Sequence, residues 1–199
     1  MSRAAFLLFL LVCTSIHSAV PDSATFEIRY PRYSYKKRVD SLHEIDFRNF
    51  ELIIFGGRGT TNLVANLRNG VFQRDYPSAC YDWMKLASVV YFDDSRFQGQ
   101  KALVMADLVS ACGSSSDFGV VQVFGIANGQ PVVLQQILYN ERGDGAGSSY
   151  NVKTSILTIK GVHGWEHCCP TNLDVGTFRW NGSRFGLVKT TSIPLSTAK

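Results

Sequence analysis

At 199 residues, 45% hydrophobic and only 18% charged, the chain is long enough to bury one substantial core and too apolar to be disordered. Its formal net charge is +4, and no basic stripe interleaved with aromatics appears, which excludes a nucleic-acid-binding surface. The most basic run, Lys36-Lys37-Arg38, follows Tyr30, Tyr33 and Tyr35 and reads as a solvated edge.

Residues 1–19 read as a targeting segment. Arg3 is the positive start, Ala4 to Val12 the apolar stretch, and Ser18-Ala19 the small residues at a cleavage site. The apolar stretch is too short for a membrane span, so no membrane association is expected after its removal. Cleavage deletes Arg3 and no acidic residue, lowering the charge by one. Cys13 goes with it, and Val12 before it is not the small residue that a bacterial lipoprotein signal carries. Residues 20–199 then form a single disulfide-stapled β-domain, secreted or periplasmic.

The first strand expected is Thr25 to Tyr30, alternating polar and apolar, ended by Pro31. Asp46-Phe47-Arg48-Asn49-Phe50 leads into a buried strand, Leu52-Ile53-Ile54-Phe55, closed by Gly56-Gly57-Arg58-Gly59. No Lys-Ser/Thr and no helix follow those glycines, so they do not cradle phosphate. Asn69-Gly70 is a turn, and Tyr76 to Trp83 reads as an aromatic loop with room for one helical turn. Leu86 to Phe92 is a strand, Asp93 to Arg96 a polar connection, and Ala102 to Val109 the most buried strand. Cys112 to Asp117 reads as a flexible turn. Gly119 to Ile126 and Val132 to Leu138 are strands joined by a turn at Asn128-Gly129-Gln130-Pro131. A glycine-rich loop at Gly143 to Ser149, a strand at Val152 to Ile159 and a polar excursion from Gly161 to His167 follow. Phe178 and Trp180, then Asn181-Gly182, then Phe185 and Leu187 read as a hairpin with Arg179 on the opposite face. Short strands with Asn-Gly punctuation and almost no helical periodicity predict an all-β domain of antiparallel sheets, sandwich- or barrel-like.

Four cysteines remain after the targeting segment: Cys80, Cys112, Cys168 and Cys169. An even number in an exported chain points to disulfides. Bonding neighbours such as Cys168 and Cys169 closes a strained ring, so each is expected to reach one of the distant pair, in a connectivity the sequence leaves open.

Asp46-Phe47-Arg48-Asn49-Phe50, Tyr81-Asp82-Trp83, the loop around Arg142 to Gly147, Cys168-Cys169-Pro170 and the hairpin Phe178 to Phe185 together resemble a family of bacterial exported proteins of unknown function. The family carries no known reaction. Its acidic loop is similar to the calcium loops of FG-GAP repeats, where oxygens wrap a hard cation. Here Asp93 and Ala102 match, but Phe97 and Lys101 stand where acids belong, and a lysine amine repels a cation. Calcium binding is not expected.

His163-Gly164-Trp165-Glu166-His167-Cys168-Cys169 has ligand types for zinc or copper, but export favours oxidised sulfur, and Gly164 disfavours the helix that would align both imidazoles. A nucleophilic Cys168 or Cys169 with His163 or His43 as base lacks any feature that lowers a thiol pKa. A Gly-x-Ser-x-Gly turn is missing. Asp82, Asp93, Asp94, Asp107 and Glu141 supply carboxylates without a spacing that singles out a glycosidase pair. Arg142-Gly143-Asp144 reads as a glycine turn, and Asn181-Gly182-Ser183 fits the N-glycosylation pattern but already serves the hairpin. Tyr30, Tyr33, Tyr35 and Tyr76 form a candidate exposed face for a glycan or protein.

No catalytic, cofactor or metal residue is assigned. The expectation is a non-enzymatic binding or interaction module of the periplasm or cell exterior, with an unidentified protein or glycan partner. A hydrolase using His163, His167, Cys168 and Cys169 is the alternative, and an inhibitor of an extracellular enzyme is the second.

Overall fold

The computed structural model describes residues 33, 35, 37–55, 62–77, 80–93, 99–111, 115–141, 145–162 and 172–195. Strand β1 (Glu51–Ile54) pairs with β2 (Leu63–Asn66). A five-stranded sheet follows in chain order: β3 (Val71–Asp75), β4 (Tyr81–Asp93), β5 (Gln100–Ala111), β6 (Ser115–Ala127) and β7 (Gln130–Asn140). A four-stranded sheet holds β8 (Gly147–Asn151), β9 (Ile156–Val162), β10 (Asn172–Trp180) and β11 (Phe185–Pro194). Every pairing is antiparallel. The helical content among the described residues is two 3₁₀ turns, Leu42–Glu44 and Phe47–Asn49. The fold is therefore all-β, as the sequence predicts.

Turn chemistry is explicit at three links: Asn69-Gly70 closes the isolated Arg68–Val71 bridge between β2 and β3, Asn128-Gly129 joins β6 to β7, and Asn181-Gly182 joins β10 to β11. Asn69-Gly70 and Asn128-Gly129 have positive φ at both residues (54° and 85°; 55° and 71°), the mirror-image turn whose twist suits a hairpin. Asn181-Gly182 behaves differently. Only Gly182 is left-handed, at φ 104°, and Asn181 Oδ1 accepts from Ser183 N, Ser183 Oγ and Arg184 N at 3.0 Å each. The expected two-residue turn is thus a longer loop built on an asparagine side chain. The hairpin survives, with Trp180 opposite Phe185.

Other boundaries also move. Tyr81 to Trp83 is already inside β4, not in a loop, because Asp82 at this strand position is satisfied by Arg74 and Tyr76. Strand β6 starts at Ser115, four residues before Gly119. Val152 to Ile159 is not one strand. Residues 152–155 form a turn, with Ser155 at φ 54° and Asn151 Oδ1 accepting from Lys153 N and Thr154 N, and β9 begins at Ile156. Gly161 and Val162 end β9 and do not begin a polar excursion. The strand expected at Thr25 to Tyr30, Gly56 to Gly59, Arg142 to Asp144 and His163 to Pro170 lie outside the described residues.

Alternation on β5 divides the interior. Ala102, Val104, Ala106 and Leu108 face one core, lined by the N-terminal segment, β1 and β2. Leu103 and Met105 face the other, against β9, β10 and β11. As expected, this central strand is among the most buried, with Ala102 to Ala106 at 3% exposure or less. Phe124 centres the first core, with the rings of Tyr33, Phe47 and Phe50 at 5.6, 5.1 and 5.8 Å. Phe92, Trp180 and Phe185 centre the second, with ring separations of 5.3–5.9 Å.

Polar side chains tie both layers to the middle sheet. Gln135 on β7 accepts from Phe185 N at 2.7 Å and donates to Phe185 O at 3.1 Å. Its neighbour Gln136, pointing the other way, accepts from Phe55 N at 3.0 Å and donates to Phe55 O at 2.7 Å. Each amide imitates one rung of a β-ladder. Gln122 Nε2 adds bonds to Ile53 O (2.7 Å) and Gln136 Oε1 (2.9 Å), while Ile53 N donates to the Tyr33 hydroxyl at 2.8 Å. Those two acceptors fix the Gln122 amide orientation and leave its Oε1 as a buried oxygen without a partner.

Candidate binding cleft

The cleft begins with two capped turns. Ser41 Oγ accepts from His43 N at 3.2 Å, and Glu44 Oε1 returns to Asp40 N and Ser41 N at 2.9 and 3.0 Å. Asp46 Oδ1 then accepts from Arg48 N at 3.0 Å, and its Oδ2 from Asn49 Nδ2 at 2.7 Å. Backbone N–H donors, that of Asp40 foremost, hold the Glu44 carboxyl below its usual range, and Asn49 does the same for Asp46. This capping places the His43 ring 3.9 Å from that of Tyr91, with Nε2 2.8 Å from Gln100 Nε2. Burial, and secondarily the Asp46 charge, pushes the Tyr91 hydroxyl up.

Beside this corner the sheet has a step. Strand β3 covers β4 only from Tyr81 to Lys85, and Leu86 N reaches Gly70 O at 2.8 Å. Ala87 is then the extra residue of a β-bulge. An open cleft of about 510 Å³ occupies the step, with Ile45, Phe47, Leu86 and Val89 as apolar lining and Arg48, Asn69 and Tyr91 as polar lining. Its lining mixes apolar and polar groups, and it stands open to solvent.

A second polar group lies on the opposite face of the same sheet. Register places Lys85, Asp107, Gly119 and Tyr139 in one row across four strands. Glu141 follows β7, its N–H bonded to Asp117 O at 2.9 Å. Its carboxyl is hydrogen-bonded to that of Asp107, and Tyr139 donates to Glu141 Oε1 at 3.2 Å. Burial first, and then the Asp107 charge, pushes Glu141 up to about 7, so below that pH Glu141 is the partner that carries the proton shared with Asp107. Burial also raises Asp107, with Lys85 opposing.

A carboxyl whose pKa is higher folded than unfolded binds its proton more tightly in the native state. Its contribution is complete below the unfolded value of 4.5 and is lost as pH rises through about 7. Thermal unfolding should therefore show stability falling by about 1–2 kcal/mol across that window, after allowance for the half-exposed site. Glu141→Gln should flatten this segment of the profile, and an unchanged slope would remove Glu141 as its source.

Several expected sites are resolved differently. Tyr33 and Tyr35 do not join an exposed face, whereas Tyr76 is exposed, at 36%. Tyr33 is buried at 5% exposure, Tyr35 packs against Phe50, and Tyr76 donates to Asp82 Oδ2 at 2.6 Å beneath the Arg74 guanidinium. Asp82 is also 2.8 Å from Arg74 Nη2, which makes it a brace of the β3–β4 hairpin and not a free carboxylate. His43 is committed to Tyr91 and Gln100. Lys101, at the degenerate acidic loop, turns its Nζ back to Gly99 O at 3.2 Å. Tyr30, Asp94, His163, His167, Cys112, Cys168 and Cys169 lie outside the described residues. Among the described residues no group of His, Cys, Asp and Glu is arranged to hold a metal. Cys80 is disulfide-bonded, and its partner lies outside the described residues.

The Asp107–Glu141 contact is what sequence reasoning missed. Both carboxylates were visible, but only the register of β5, β6 and β7 brings them together. The cleft was equally hidden, because its one sequence sign is the short segment between Asn69-Gly70 and the bulge. No family model, curated protein or solved structure matches the chain.

Proposed function

We propose that the chain is an exported, non-enzymatic binding module that takes an extended segment of a partner protein into the cleft beside β4. The observation that carries this reading is the step in the sheet. Among the described residues, β4 beyond Leu86 has no strand alongside it on the β3 side, and the cleft lies against that edge. An incoming strand would continue the line of β3 and gain backbone hydrogen bonds, while its side chains enter the apolar lining. Export is supported by the apolar leader in residues 1–19, the even cysteine number beyond it and the resemblance to exported proteins. The hydrolase alternative rests on His163, His167, Cys168 and Cys169, outside the described residues.

The test is selection of peptides from a display library on the mature protein, followed by comparison with Ala87→Trp and Arg48→Ala. Ala87 is exposed at the bulge, so a tryptophan there fills the cleft without entering the core. Selected peptides should bind Ala87→Trp at least about tenfold more weakly at an unchanged melting temperature, a loss of about 1.4 kcal/mol. Peptides indifferent to both substitutions, or binding confined to a glycan array, would overturn the reading.

A further inference from the structure

Tyr81 and Trp83 stand two residues apart on β4, so alternation sets both on the face of the central sheet opposite the cleft. On that face the four-stranded sheet covers Leu103, Met105, Val121 and Val123. Tyr81 and Trp83 lie beyond this cover, Tyr81 at 40% exposure and Trp83 partly buried. Among the described residues, neither ring belongs to a core, and neither lies against another aromatic ring. The indole N–H and the phenol both lack a hydrogen-bond partner there and reach solvent. Packing within the fold therefore does not account for two large aromatics side by side.

Polar side chains border the rings on both sides. On the edge strand β3, Gln73 is opposite Trp83 and Asp75 opposite Tyr81. Gln73 Nε2 donates to both Asp75 carboxylate oxygens, at 3.2 and 3.3 Å. On the other side the row runs from Trp83 through Val109 to Asp117. From these uncommitted rings and their acceptor-rich border, we propose that this face of β4 is a platform for an uncharged oligosaccharide. A pyranose with equatorial hydroxyls carries C–H bonds on its faces, and these settle on the electron-rich faces of Trp83 and Tyr81. Its rim hydroxyls donate to Asp75 and to Gln73 Oε1, and accept from the Trp83 indole N–H. The rings stand about 7 Å apart along the strand, so a ligand covering both has at least two sugar units. Asp75 and Asp117, joined by Asp107 in the next row, outnumber Lys85 on this face. That charge repels an anionic ligand and favours a neutral glycan over a nucleic acid or an acidic peptide.

The test is an array of neutral and acidic oligosaccharides probed with the mature protein. Neutral glycans should be retained, and Trp83→Ala should weaken their binding about tenfold. Trp83→Phe keeps a stacking face and should hold most of the affinity. Tyr81→Ala, at an exposed position, should also weaken binding at an unchanged melting temperature, which keeps the test intact if Trp83→Ala fails to fold. Peptides selected on the cleft should bind both alanine variants as they bind the parent, so the two sites stand or fall separately. Retention of no neutral glycan, or of acidic glycans ahead of neutral ones, would overturn the proposal. Neutral binding indifferent to Trp83→Ala and Tyr81→Ala, or capture of a protein by this face with no glycan bound, would do the same.

Discussion

Replacing Gln136 by leucine is expected to destabilise the protein by about 2–4 kcal/mol, although the side chain keeps its bulk. The Gln136 amide bonds the N–H and the carbonyl of Phe55 and also accepts from Gln122. Leucine makes none of these bonds and leaves Phe55 and the fully buried Gln122 with less than their polar atoms require. The cost is concentrated because, among the described residues, β1 has no backbone ladder to the central sheet, and the Gln122 and Gln136 side chains make the polar connection there. Urea titration followed by tryptophan fluorescence should show a lower midpoint with an unchanged slope. Hydrogen exchange at the Phe55 amide should accelerate beyond the global change. A midpoint within experimental error of the parent would mean that the amide rung does not hold the layer.

A methyl group at Gly119 should have an effect of similar size for an opposite reason. A Cβ built there lies 1.7 Å from Cζ and 2.1 Å from the hydroxyl oxygen of Tyr139, its cross-strand partner. The Tyr139 ring occupies the place where a side chain would be. Gly119→Ala must therefore expel Tyr139, together with its bond to Glu141 Oε1, or shift β6 away from β7. The expected loss is about 2–4 kcal/mol. Because Tyr139 is the cause, Gly119→Ala/Tyr139→Ala should cost clearly less than the sum of the single changes, by at least about 1 kcal/mol. Additive losses would place the strain elsewhere.

These two positions show the limit of what was legible in the chain. Gln135-Gln136 reads as an unremarkable part of a strand, because its partners, Phe185 and Phe55, are distant in sequence and are engaged through their backbones. Gly119 reads as a strand residue, since nothing local announces that a tyrosine ring from β7 will lie over it. The tyrosines of the N-terminal segment misled in the other direction. Their polar neighbours suggest exposure, but Tyr33 sits in the first core, satisfied through Ile53.

By itself the sequence determined the strand-rich class, the turns at Asn69-Gly70 and Asn128-Gly129, and the inward side of Phe178 and Trp180. Backbone preferences of Asn-Gly and two-residue alternation act within a few residues, so a linear chain displays them directly. Only the tertiary structure decided that three sheets stack as layers, that adjacent glutamines bind opposite layers, that Asp107 meets Glu141, and that a cleft opens where β3 stops short. Each of these is a contact between segments whose separation along the chain carries no signal. Strand register and layer packing create them, and both follow from burying all the apolar faces at once.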